Sequence, residues 1–259
     1  MNLFNFWKNW SLIVCIVVAI TFVACDSENG SDCLKKEGTI VQRDIELTSF
    51  TEIVVFEGVQ LFIEEGPSHK VILESGENLI NDVEVKVEGA LLTVINNNTC
   101  NFIRDYNITK VYITSPNITK IRNSSSLEII SIGVLNYPEL TLYSENHENE
   151  DYYHNNGNFN LNLNVQKLTI ISNGFSTFRL NGNADKANFG LYSGNTRILA
   201  ENLMVKKLNL YHRSTNKMVV NPTESIQGEI CSVGDVIAKN RPPMVEVEEL
   251  FIGKLIFED

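Results

Sequence analysis

A spacing of twenty residues governs the C-terminal half of this chain. Gly174, Gly194, Ser214 and Gly234 fall at one repeat position, with Ser172, Tyr192, His212 and Ser232 two residues before it. Four residues after it stand Phe178, Ile198, Met218 and, more weakly, Ala238. Further back Ile170, Leu210 and Ile230 line up, while Gly190 breaks the row between Phe189 and Leu191. An earlier turn, Asn155-Asn156-Gly157, precedes Gly174 by seventeen residues, which predicts a shorter first coil. At about 3.3 Å per residue, such a unit holds two or three short strands and their corners. One unit cannot bury its own apolar face; stacked units bury their faces together and pair their backbones. The repeat therefore predicts an all-β chain wound as a β-solenoid, a right-handed parallel β-helix-like stack of coils. A β-sandwich or barrel is the other arrangement that regular strand spacing allows.

The segments upstream agree with an all-β reading. Ile53 and Val55, then Val59, Leu61 and Ile63, then Val83, Val85 and Val87 alternate with polar neighbours such as Gln60, Glu64, Glu84 and Lys86. Glu57-Gly58, Gly66-Pro67 and Glu88-Gly89 separate these runs as turns, and no long run has a helical period. In Asn158-Phe-Asn-Leu-Asn-Leu-Asn-Val165 the alternation is plainest: Phe159, Leu161, Leu163 and Val165 face one way, the asparagines the other. An amide row of this kind is more often a solvated outer face than a carbohydrate ladder. Asn160, Asn162, Tyr192 and Tyr211 are the residues through which such a face would bind a ligand.

Leu12 to Val23 is uncharged. As a helix it would span about 18 Å against a bilayer core of roughly 30 Å, which fits the apolar part of a signal peptide better than a membrane span. Phe22-Val23-Ala24-Cys25 resembles the lipobox of bacterial lipoproteins, with Phe22 in place of the usual Leu. Residues 1–24 are thus expected to be a signal peptide, Cys25 the lipidated N-terminus, residues 25–36 a polar tether, and residues 37–259 the folded domain. That resemblance implies export and attachment to a membrane through the lipid, in the cell envelope at the outer membrane or cell surface.

Five cysteines are present. Cys15 leaves with the signal peptide and Cys25 takes the lipid. Cys33 and Cys100 both look exposed enough to bridge in an oxidising compartment, and Cys231 reads as a packed free thiol. The formal charge is −11, and becomes −12 when Lys8 is removed with residues 1–24. An acid excess of that size repels a phosphate backbone and argues against nucleic acid as a partner.

No motif here implies a cofactor or a metal, and no catalytic constellation is visible. Asp151, Glu224 and Asp235 are exposed carboxylates that no spacing brings together, and Asp235, after Gly234, has the place of a turn residue that satisfies backbone N–H groups. His154 and His212 lie near coil corners but at different repeat positions. Glu145 to Asp151 holds four carboxylates in seven residues, an oxygen-rich run of the kind that can hold Ca²⁺, without EF-hand spacing.

Several segments resemble the putative auto-transporter adhesin, head GIN domain family of bacterial envelope proteins. Phe50 to Gly66 looks like the family's opening hairpin; Glu77-Asn78-Leu79, Val83 to Val87 and Leu91 to Val94 look like its next strands. Cys100-Asn-Phe-Ile-Arg-Asp-Tyr106 is similar to an element of members that also carry an early Asp-Cys, here Asp32-Cys33. Asn221-Pro-Thr-Glu-Ser-Ile226, Ser232-Val-Gly-Asp-Val236 and Arg241-Pro-Pro243 resemble the closing coils. Tyr211 to Asn216 departs from the Gly-Ser-Gly-Asp turn common in members, and Ser144 to Asp151 looks like an insertion. The resemblance implies a β-solenoid and a surface adhesin that meets an extracellular glycan or matrix protein. A polysaccharide-active β-helix enzyme and a structural or sensory envelope component are the competing roles.

Overall fold

The computed structural model describes residues 33, 35–98, 100 and 108–258. The expectations for residues 1–24, for Cys25 and for most of the 25–36 tether lie outside the described residues. The described chain is all-β: seventeen strands form one continuous sheet that curls into a nearly closed, barrel-like shape.

The strands fall into two columns. One contains β1 (Ile40–Ile45), β3 (Gln60–Glu65), β4 (Lys70–Gly76), β7 (Lys110–Ser115), β9 (Ile129–Leu135), β15 (Val236–Ala238) and β17 (Leu255–Phe257). The other contains β2 (Glu52–Phe56), β5 (Val83–Glu88), β6 (Leu91–Asn96), β8 (Lys120–Ser124), β10 (Glu139–Ser144) and β16 (Met244–Glu249). Four long strands, β11 (Phe159–Ser172), β12 (Thr177–Leu191), β13 (Arg197–His212) and β14 (Met218–Ile230), run through both, and each contributes its first half to one column and its second half to the other.

From β11 onward every pairing is parallel, and the displacement between partners stays close to the repeat. Phe159 pairs with Phe178, then Ile198, Met218, Val236 and Leu255, steps of 18 to 20 residues. In the other column Leu168 pairs with Ala187, Leu208, Ile226 and Val245, steps of 18 to 21. The rows are buried as far as Val236 and Ile226, while the last members are half-buried Leu255 and exposed Val245, and the Phe159 and Phe178 rings stack at 4.7 Å with planes 7° apart. Period-two alternation puts every second side chain of each strand on this inner face.

The constant twenty-residue comb needs correction inside the strands. Phe189, not Gly190, joins Ile170 and Leu210; the fourth member of that row is Gly228, while Ile230 pairs with His212. Bulges absorb the difference, including one between Arg179 and Asn181 in the β12–β13 register. Next to it Gly182 has φ +104, and a Cβ there would lie 2.0 Å from the Leu163 carbonyl oxygen, so only glycine fits. The first unit is nineteen residues long, one short of the repeat rather than three. Gly174 stacks on Asn155, nineteen residues earlier, whereas Gly157 packs against Asn123.

The N-terminal third departs most from a uniform parallel stack. β1–β4, β4–β7 and β5–β6 are antiparallel. The segment likened to an opening hairpin sends its strands to different columns, β2 against β6 and β8, β3 against β7 and β9. β2 and β8 are 68 residues apart in register (Ile53 with Ile121), because β4 to β7 fold back between them. Cys33 and Cys100 form a disulfide across this end, closing a separation of 67 residues. A loop of that size corresponds to about 4 kcal/mol of lost unfolded-state entropy.

His212 is a buried titratable side chain at a strand end. The imidazole is wholly buried where β13 meets its corner, and neither ring nitrogen has a hydrogen-bond partner among the described residues. Burial pushes it down to about 4, although the backbone of Asn216 and Gly234 and the Asp235 carboxylate favour the charged form. The unfolded chain therefore binds a proton on His212 at a higher pH than the folded chain. Stability from this site is intact above an unfolded value of about 6.5 and is lost as pH falls from there toward about 4.

Two outcomes are expected. Phe178→Ala should lower the unfolding free energy by about 3 to 5 kcal/mol, read from urea midpoints, since it empties a ring-sized space between two coils. Urea midpoints of the native chain should fall between pH 6.5 and 4 by more than those of His212→Leu; parallel pH curves for the two would show that burial of the imidazole does not govern acid stability.

Candidate functional site

The residues singled out for binding separate onto the two columns. Asn160 and Asn162 point outward from the first half of β11, where Asn160 pairs with Arg179 and Asn162 with Asn181, which pairs in turn with Asn202. The amide row therefore continues across three paired strands, β11, β12 and β13. Tyr192 and Tyr211 lie at the far end of the other column, their rings 5.4 Å apart and stacked. Gly190 explains the geometry of that pair: it pairs with Tyr211, and a Cβ on it would meet the Tyr192 ring at 2.8 Å. The residue that breaks the sequence row is the floor on which Tyr192 lies. Tyr192 is half exposed, so the pair offers a small aromatic platform at the corner.

Between the two columns the long strands bend, and the outer side of the bend holds a groove of about 370 Å³. Asn136, Asn164, Gln166 and Asn183 line it with amides, Asp185 and Lys206 add an ion pair at 2.7 Å, and Met204 adds an exposed apolar side chain. Asn164 donates to Asn136 Oδ1 at 2.9 Å, which leaves further amide donors and acceptors facing the space. The Asp185 carboxylate holds the Lys206 ammonium above its ordinary value. Tyr137 forms buried floor; its hydroxyl donates to the Ser115 carbonyl, and burial together with the Glu65 carboxylate raises its phenol. Small-ligand sites combine such concavity with a few converging polar groups.

The acidic run 145–151 does not gather its carboxylates on an open site. The β10–β11 register advances 28 residues, from Leu140 to Leu168, about eight more than an ordinary coil, so the extra length forms a loop over β8. The buried Arg122 guanidinium holds it, donating to the Glu145 carbonyl at 2.7 Å, to Glu145 Oε1 at 2.9 Å and to Glu148 Oε2 at 2.8 Å. Tyr153 stacks over the same guanidinium at 4.1 Å and Tyr143 flanks it at 4.9 Å. A buried charge needs this completeness of pairing. No sequence pattern marked Arg122; its one clue is a cation at an alternating position opposite an acidic insertion.

The carboxylates weighed for catalysis are dispersed. Asp151 lies in the 145–158 loop, Glu224 in β14, and Asp235 in a turn where its carboxylate accepts the Lys254 N–H at 2.9 Å. His154 is exposed and far in register from buried His212. Cys231 is a half-buried free thiol whose Sγ approaches Glu229 Oε2 at 3.7 Å; burial and that carboxylate raise it. Among the described residues no group of three or more His, Cys, Asp or Glu could hold a metal ion, and no helix is long and apolar enough to cross a membrane.

The family model described as putative auto-transporter adhesin, head GIN domain, matches residues 49–242. A structure of a putative adhesin from Bacteroides fragilis superposes with a TM-score of 0.75 at 20% identity, covering 86% of this chain and 99% of that one. A putative adhesin from Parabacteroides merdae gives 0.60 at 16% identity, covering 86% of this chain and 98% of that one. A putative lipid binding protein from Parabacteroides distasonis gives 0.58 at 16% identity, with 86% and 100% coverage. A comparison with curated proteins finds no match.

Proposed function

Because the chain belongs to the putative auto-transporter adhesin, head GIN domain family, we propose that it is an exported, lipid-anchored module of the cell envelope whose β-solenoid presents a binding surface to an extracellular ligand. The observation that carries this reading is the pair of outward ladders, the three-strand asparagine row and the Tyr192–Tyr211 stack, displayed on the two columns that meet at an amide-lined groove. Amides match the donor–acceptor pattern of hydroxyl groups, and tyrosine faces suit the apolar faces of sugars or the side chains of a matrix protein. The solenoid assignment is supported by the parallel steps of 18 to 21 residues along both columns. The lipid anchor is supported by Ala24-Cys25 after an uncharged run, and a polar stretch beyond it would lift the domain from the outer membrane. Passive binding rather than catalysis fits the dispersal of Asp151, Glu224 and Asp235, the last of which accepts a turn N–H.

Two measurements test it. Metabolic labelling with a fatty acid should mark the native chain and not Cys25→Ser, which should appear in the soluble fraction; equal labelling of both would remove the anchor. Well-folded protein should be retained on a glycan array or a matrix-protein panel, and Tyr192→Ala with Tyr211→Ala should weaken that retention by about tenfold, one or two ring contacts' worth. Blank panels, or retention on phospholipid vesicles alone, would refute the adhesin role.

A further inference from the structure

Lys167, Lys186 and Lys207 are register partners in three successive strands, β11, β12 and β13. Leu168, Ala187 and Leu208, next to them, are buried, and the three lysines are exposed on the outer surface. Neighbouring strands lie about 4.8 Å apart, so the cations recur at that interval along the stack. Like charges directly opposite one another weaken a sheet. Glu139, the partner of Lys167 in β10, reaches it at 3.5 Å, but among the described residues Lys186 and Lys207 make no ion pair. On a chain of charge −11 this row is a local reversal of sign.

The row has a defined setting. On one side stands an uncharged outward row, Thr169, Asn188 and Asn209, which are register partners too. On the other side, one residue away in each strand, Gln166, Asp185 and Lys206 form the wall of the groove at the bend. A cationic ladder therefore borders a concavity of about 370 Å³ rich in amide donors and acceptors.

We propose that the ladder and the groove together bind an acidic polysaccharide, the lysines meeting its carboxylate or sulfate groups and the amides its hydroxyls. Free anions would not need a periodic row, whereas a polymer with a charge on successive units would engage several coils at once. Nucleic acid fits less well: Asp185, Glu139 and the overall acidity repel a continuous phosphate chain, and no aromatic side chain is exposed in the groove to stack on bases.

This inference rests on the reading of the protein as a ligand-presenting module, and the test separates the two. The full chain, kept in mild detergent, is titrated against immobilised heparin, polygalacturonate, neutral dextran and single-stranded DNA over a range of salt. Binding to heparin, polygalacturonate or both should be at least tenfold tighter than to dextran or DNA and should weaken as salt rises. Lys186→Gln combined with Lys207→Gln should reduce it at least tenfold with a melting temperature no lower than that of the native chain, while Lys254→Gln, at a distant turn, should leave it intact. Retention on heparin alone would assign sulfate and on polygalacturonate alone carboxylate, either one supporting the site. No retention on a polyanion, DNA binding of equal strength, or a double variant that binds as well as the native chain would overturn it. Retention on a neutral glycan or matrix protein without any polyanion would overturn the acidic ligand and leave the adhesin reading standing.

Discussion

The described fold depends on the inward side chains of one strand being buried by those of the strand paired with it. Phe159 is covered by Phe178, Phe178 by Ile198, and Ile198 by Met218, and in each case the partner lies across a parallel backbone ladder rather than within the same coil. Each such side chain contributes roughly 2 to 3 kcal/mol only when both neighbours are in register. The inner rows consequently fix the registers, and the outer positions are released from packing. Asparagine, tyrosine and lysine can then occupy them in ladders at little expense to the fold.

The two ends of the sheet answer the problem of open edges differently. Toward the N-terminus the chain doubles back, so that antiparallel β5–β6 and β1–β4–β7 close the columns and the Cys33–Cys100 disulfide holds the closure. At the C-terminus β16 pairs with β14 on one side, and one of its faces carries the exposed Glu246 and Glu248. A row of carboxylates on an edge strand discourages pairing with a second chain. The Leu250-Phe251-Ile252 turn beyond it is exposed.

How much of this was legible in the sequence follows from where chemistry is singular. Turn residues are: Gly174, Gly194, Ser214 and Gly234 stack at the corners, where backbones approach to within a Cβ's reach, and the spacing announced both the all-β class and the parallel steps. Strand registers are not, because a bulge shifts every later residue by one without leaving a mark. Gly190 looked like an interruption although Phe189 holds the row, and the 19- and 21-residue steps that align Lys167, Lys186 and Lys207 fall outside a twenty-residue comb. Antiparallel pairing of β4 to β7 was equally hidden, since period-two alternation is the same in either direction. The aromatic pair and the amide row were visible as residues, but their division between two columns depends on the bends within β11 to β14.

The lysine row shows what that division permits. Its repulsion acts through water at exposed positions, where it is weak and screened by salt. Beneath it, Leu168 and Leu208 are buried to within 1% of full coverage, and their registers are fixed again by Leu142–Ile170 and Phe189–Leu210 two residues further along. The interior therefore overrides the surface, and a charge arrangement that would unsettle an isolated pair of strands persists here. An anion lying along the row would remove the repulsion without altering a single inner contact, so its binding would steady strands whose pairing the interior already fixes.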